Sequence, residues 1–115
     1  SVTAVVDEKN CSVDSTSSGK TYTVAVDVAD LQHFSSGNAV STVEPMLALY
    51  QGGRLVGLSA AGTMTLTGGV GELSLSAAAK EDVTEMRVFL MDAGGDYSPL
   101  CAALQAMPNA SAAGK

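Results

Sequence analysis

MLALYQGGRLVGLS, residues 46–59, is the stretch whose reading decides the fold. Leu47 to Tyr50 is strand-like, Gln51-Gly52-Gly53-Arg54 turns, and Leu55 to Leu58 returns. A Gly-Gly pair supplies the positive φ angles that a two-residue primed turn requires. That turn predicts Gln51 opposite Arg54, Tyr50 opposite Leu55 and Leu49 opposite Val56. Both faces of the hairpin are apolar, which predicts cover on both sides, mid-sheet or against a neighbour.

Outward from the hairpin, period-2 alternation recurs. Thr21 to Val28 is the clearest case: Tyr22, Val24, Val26 and Val28 are predicted to face a core, and Thr21, Thr23, Ala25 and Asp27 the solvent. Thr63 to Thr67 and Glu72 to Ala77 alternate too, which puts Leu66, Leu73 and Leu75 inside. Met86 to Asp92 is the last strong strand, with Met86, Val88 and Leu90 inward. Val2 to Val6 and Pro99 to Leu104 are shorter candidates. Ser12 to Lys20 and Asp30 to Val43 read as irregular, and Ala77 to Glu85 as a loop with one helical turn. About seven short strands with close turn signals and no long helix predict an all-β, antiparallel two-sheet sandwich. The domain is expected over residues 1–104, with a flexible tail over 105–115.

Composition narrows the function. The 115 residues suffice for one core, and 4% aromatics with no Trp mean it is built from Val, Leu, Ala and Met. A net charge of -6 and six scattered basic residues argue against a nucleic-acid partner. No run of 18 apolar residues occurs, so no membrane insertion is expected. With no signal segment visible, the chain reads as a piece of a longer protein. Cys11 and Cys101 leave two readings open: buried free thiols, or a disulfide joining the two ends of the domain in an oxidising compartment. Its long loop would contribute about 3–5 kcal/mol.

For catalysis, the single His33, beside Phe34, has no evident partner, and Glu81-Asp82 read as solvated charges. No catalytic residue, cofactor or metal is therefore expected. Asp92 and Asp96, with Tyr97, form the candidate ligand loop. Two carboxylates fall short of the six to eight oxygens calcium takes, and the spacing is not that of an EF-hand. Tyr97 is the best placed aromatic for a glycan, among Tyr22, Tyr50, Phe34 and Phe89. Arg87, Phe89 and Met91 alternate with the inward residues of their strand. They form a candidate partner surface, unless another segment of the domain covers them. No spacing selects an isopeptide partner for Lys9, Lys20 or Lys80.

Ala48-Leu49-Tyr50, Arg54-Leu55-Val56-Gly57, Arg87-Val88-Phe89-Leu90, Asp92 and Pro99-Leu100, in that order and spacing, resemble a recurring module of secreted proteins. The pattern is similar to the fibronectin-III/immunoglobulin-like β-sandwich modules on large surface proteins and glycan-active enzymes of anaerobic Gram-positive bacteria. It covers about the last two-thirds of the chain. That family usually carries Trp where Met91 stands, and often Lys where Arg87 stands. The resemblance implies a non-catalytic extracellular spacer, adhesion or interaction domain, secreted or at the cell surface. Its partners would be neighbouring domains of the same chain or another surface protein. The alternative is a small carbohydrate-binding module appended to a glycan-active enzyme.

Overall fold

The computed structural model describes residues 4–17, 19–33, 36–60, 62–94 and 97–106. These form nine strands in two antiparallel sheets packed face to face, and among them there is no α-helix. The strands are β1 (Ala4–Val6), β2 (Ser12–Thr16), β3 (Gly19–Val28), β4 (Thr42–Gln51), β5 (Arg54–Ala60), β6 (Met64–Thr65), β7 (Gly71–Ala79), β8 (Glu85–Met91) and β9 (Leu104–Ala106).

The first sheet is built on β3. β7 pairs with it from Lys20 to Val28 along one edge. The other edge is shared: β1 takes Val26 to Val28 and β2 takes Gly19 to Thr23. Between them a 3-10 turn, Glu8–Asn10, fills the gap. Asp7 caps that turn by accepting the Lys9 N–H, and its own N–H donates to the Ala25 carbonyl at 2.8 Å. Ala25, predicted to face solvent, is therefore covered and only 6% exposed.

The second sheet is built on β4. β8 lies along one edge, with β9 beyond it, and β5 and β6 share the other edge. A proline in a central strand normally breaks the ladder. Pro45 does not, because the β6 pairing ends at Val43 and the β5 pairing starts at Met46. Its missing N–H falls in that gap. On the other side the Leu90 carbonyl, opposite Pro45, turns away to accept the Leu100 N–H at 2.8 Å.

The core lies where alternation predicts it. Tyr22, Val24, Val26 and Val28 of β3, Leu73 and Leu75 of β7, Met86, Val88 and Leu90 of β8, and Leu66 are at most 3% exposed. Leu47 and Leu49 of β4 join them at 0%. Burying each of these larger aliphatic side chains is worth about 1.5–3 kcal/mol.

Several expectations are corrected. Ser12 to Thr16 is a strand, not a loop: it is a polar edge strand that pairs Thr16 with Gly19 across a tight turn. Ala77 to Ala79 continue β7 instead of starting a helical turn, because Lys20 to Tyr22 of β3 pair with them. The Thr63 to Thr67 stretch keeps only Met64–Thr65 as strand, since Leu66 N–H turns to the Ser41 carbonyl and Thr67 bridges to Val70. β9 runs to Ala106, two residues past the expected domain boundary.

The hairpin turn has the expected geometry, with Gly52 at φ 56° and Gly53 at φ 86°. Gln51 faces Arg54 and Tyr50 faces Leu55, but a bulge then sets Leu49 opposite Gly57, not Val56. The hairpin is not covered on both sides either. β5 is an edge strand with Leu55 51% and Leu58 54% exposed. The bulge has a use: a Cβ on Gly57 would lie 2.8 Å from the Ala78 carbonyl oxygen of β7, so the two sheet edges meet there.

The pairings also fix a direction. Ala4 lies level with Val28 and Gly71, at the end shared with the start of β4. Ala106 pairs with Met86, level with Leu49 near the opposite end of β4. The chain therefore enters at one end of the sandwich and leaves toward the other, roughly 23 Å further along the strand axis.

Candidate interaction surface

Arg87, Phe89 and Met91 occupy the outward face of β8, as their alternation predicts. Register sets them beside Ala48, Met46 and Glu44 of β4, and Leu58 lies next to Ala48 on β5. At the centre is a polar knot. Arg87 Nε donates to Glu85 Oε2 at 2.8 Å, and Gln105 Nε2 donates to the same oxygen at 2.9 Å. The guanidinium lies over the Tyr50 ring, 4.8 Å from its centroid. The Arg87 hydrogen bond holds the Glu85 carboxyl below its ordinary range, and Glu85 pushes Arg87 up in return. Around the knot Met46, Phe89 and Met91 are half-buried and Leu58 is open, so the face combines apolar surface with a fixed charge pair.

In the candidate ligand loop after β8, Asp92 is only 7% exposed, and its Oδ2 lies 2.9 Å from Nδ1 of His33. The solitary histidine thus has a partner 59 residues away, which no local signal encodes. Asp92 Oδ1 is buried without a hydrogen-bond partner. The pair braces the loop before β4 against the end of β8. One free carboxylate oxygen is far short of a calcium shell. Asp96 and Phe34 lie outside the described residues. Tyr97 is 51% exposed, adopts φ 61°, and donates from its hydroxyl to Glu44 Oε1 at 3.1 Å. That carboxylate pushes the phenol above its ordinary value.

The disulfide reading is not realised. Cys11 and Cys101 are both free thiols, and Cys11 Sγ donates to the Asp7 carbonyl at 3.3 Å. Burial raises both thiols above their usual value, most of all as desolvation of the thiolate. Tyr22 is core, and Tyr50 is committed to Arg87.

Ionised side chains gather at both ends of the molecule. At the end where β1 enters, the carboxylates of Asp7, Asp27 and Glu72 lie within 4.8 Å of one another. Asp7 is already engaged, accepting from Lys9 N and Asn10 Nδ2. At the other end Lys20 pairs with Asp82 at 2.9 Å and Arg54 with Glu81 at 2.6 Å. Glu81 and Asp82 therefore serve separate ion pairs. The Asp82 hydrogen bond raises the Lys20 ammonium above its ordinary value. Beside them a cleft of about 380 Å³ opens between β3, β7 and β5. Sequence reasoning missed it; its only trace is the Ala77-Ala78-Ala79 run, which leaves volume unfilled. No known protein family, no curated protein and no solved structure matches the chain.

Proposed function

We propose that this chain is a non-catalytic, immunoglobulin/fibronectin-III-like sandwich module of a larger secreted or cell-surface protein, acting as a spacer and protein-contact unit. The observation behind this reading is the direction of the fold. β1 enters at the Val28–Gly71 end and β9 leaves toward the Gln51–Arg54 end. A module of this kind holds its neighbours apart along the strand axis. The grouping of strands supports the family assignment: β1, β3 and β7 share one sheet, and β5, β4, β8 and β9 the other. Immunoglobulin-type sandwiches divide their first, second and fifth strands from their third, sixth and seventh in the same way. The outward face around Phe89 supplies a contact surface.

The test places the domain between two compact folded reporters and measures their separation by small-angle scattering. The expected result is an extended, end-to-end particle. Reporters side by side would defeat the spacer reading.

Tyr97 favours a second reading, a carbohydrate-binding module, because its ring is half exposed and its hydroxyl is oriented by a hydrogen bond to Glu44. Glycan-array binding that is lost in Tyr97→Ala would select it.

A further inference from the structure

The cleft at the β9 end has a definite chemistry. Its floor is small: Gly19, Ala78 and Ala79 meet Val56 of β5 where larger side chains close the sandwich elsewhere. At Gly19 a Cβ would come 3.1 Å from the Ala79 carbonyl oxygen, so the close approach of the two strands depends on glycine. Ala78 turns its carbonyl toward Gly57, away from β3. In an antiparallel ladder its N–H then points the same way, toward the cleft side of the strand.

The rim is basic. The chain has six Lys and Arg against twelve Asp and Glu. Yet Lys20, Arg54 and Lys80 gather at this end. Arg54 is neutralised by Glu81 and Lys20 by Asp82. Lys80 is exposed and has no partner among the described residues. The site therefore offers one uncompensated ammonium, the remaining donors of Lys20, an edge N–H and an aliphatic wall. Its volume, about 380 Å³, lies within the range of small-molecule sites.

We propose that this cleft binds a small carboxylate-bearing ligand, its anion at Lys80 and Lys20 and its body against Val56 and Ala78. A single uncompensated ammonium matches a monoanionic head better than a multiply charged phosphate. The site lies at the opposite end from Tyr97, so it stands or falls independently of both readings above.

The test is a 15N chemical-shift titration of the whole chain with glutarate and with glucuronate, with glucose as the uncharged control. The expected result is saturable shifts at Thr21, Val56, Ala78 and Lys80 with at least one of the acids and none with glucose. Binding should weaken at least about tenfold in Lys80→Glu, equivalent to about 1.4 kcal/mol, and persist in Lys80→Arg. Glutarate alone would identify an aliphatic body and glucuronate alone a sugar. The spectrum of each variant reports its folding directly. Absence of saturation with both acids, equal shifts from glucose, shifts centred elsewhere, or an unchanged affinity in folded Lys80→Glu would each overturn the proposal.

Discussion

Gly57→Ala tests whether the β5 bulge brings the two sheet edges into contact. The new methyl would sit 2.8 Å from the Ala78 carbonyl oxygen and 3.0 Å from Leu49 Cδ1. Neither neighbour yields easily. The carbonyl belongs to a strand laddered to β3 from Lys20 to Val28, and Leu49 is fully buried. Forcing an extra methyl into such a site costs about 1–3 kcal/mol. Losing glycine's freedom in the unfolded chain returns about 0.4–1 kcal/mol. Taking the middle of each range, the net destabilisation is about 1.3 kcal/mol, or about 5–10 °C in Tm for a domain of this size. Urea unfolding followed by far-ultraviolet circular dichroism and tyrosine fluorescence suits a chain with three Tyr and no Trp. The midpoint should fall while the slope stays constant. Gly71→Ala is the control: its Cβ would meet only the Leu66 Cδ2 methyl, at 2.7 Å, a side-chain end with no backbone atom in the way. Wild-type stability in Gly57→Ala, or a larger loss in Gly71→Ala, would refute the reasoning.

Three further outcomes are expected. His33→Ala strips the buried Asp92 of its partner and should cost about 1–3 kcal/mol, while the same change in an Asp92→Asn background should cost less; a double-mutant cycle of unfolding free energies checks this. Glu72→Lys replaces a like-charge pair directly opposite Asp27 by an attractive one, so thermal unfolding should show a gain of about 0.5 kcal/mol, and a loss would count against the register. Glu85 titrates below its ordinary value of 4.5 in the folded chain. Its contribution is therefore complete above that value and is lost as pH falls through the depressed one. Arg87→Gln should flatten that part of the acid limb of the stability–pH curve.

The strands whose side chains alternate between oil and water were legible. β3, β7 and β8 bury the residues their pattern selects, because one face of each meets a core. β2 was hidden because Ser12, Asp14, Ser15 and Thr16 give no apolar period; pairing with β3, not burial, makes it a strand. Ala77 to Ala79 favour helix intrinsically, and the ladder to β3 overrides that preference. The Val56 bulge depends on a meeting with β7 some twenty residues later, which the hairpin itself does not announce. Of the candidate surface, the outward placement of Arg87, Phe89 and Met91 followed from period alone. The Arg87–Tyr50 stacking, the His33–Asp92 contact and the cleft are products of tertiary neighbours distant in sequence.

The direction of the fold has a mechanical consequence. Tension applied beyond Ala4 and Ala106 runs parallel to the strands, so the β1–β3 and β8–β9 ladders are sheared and not unzipped. All the hydrogen bonds of a ladder then share the load at once. Each terminal strand is only three residues long. The outermost strands would thus slip first, as fuses, lengthening the chain while the β3–β7 and β4–β8 ladders still hold.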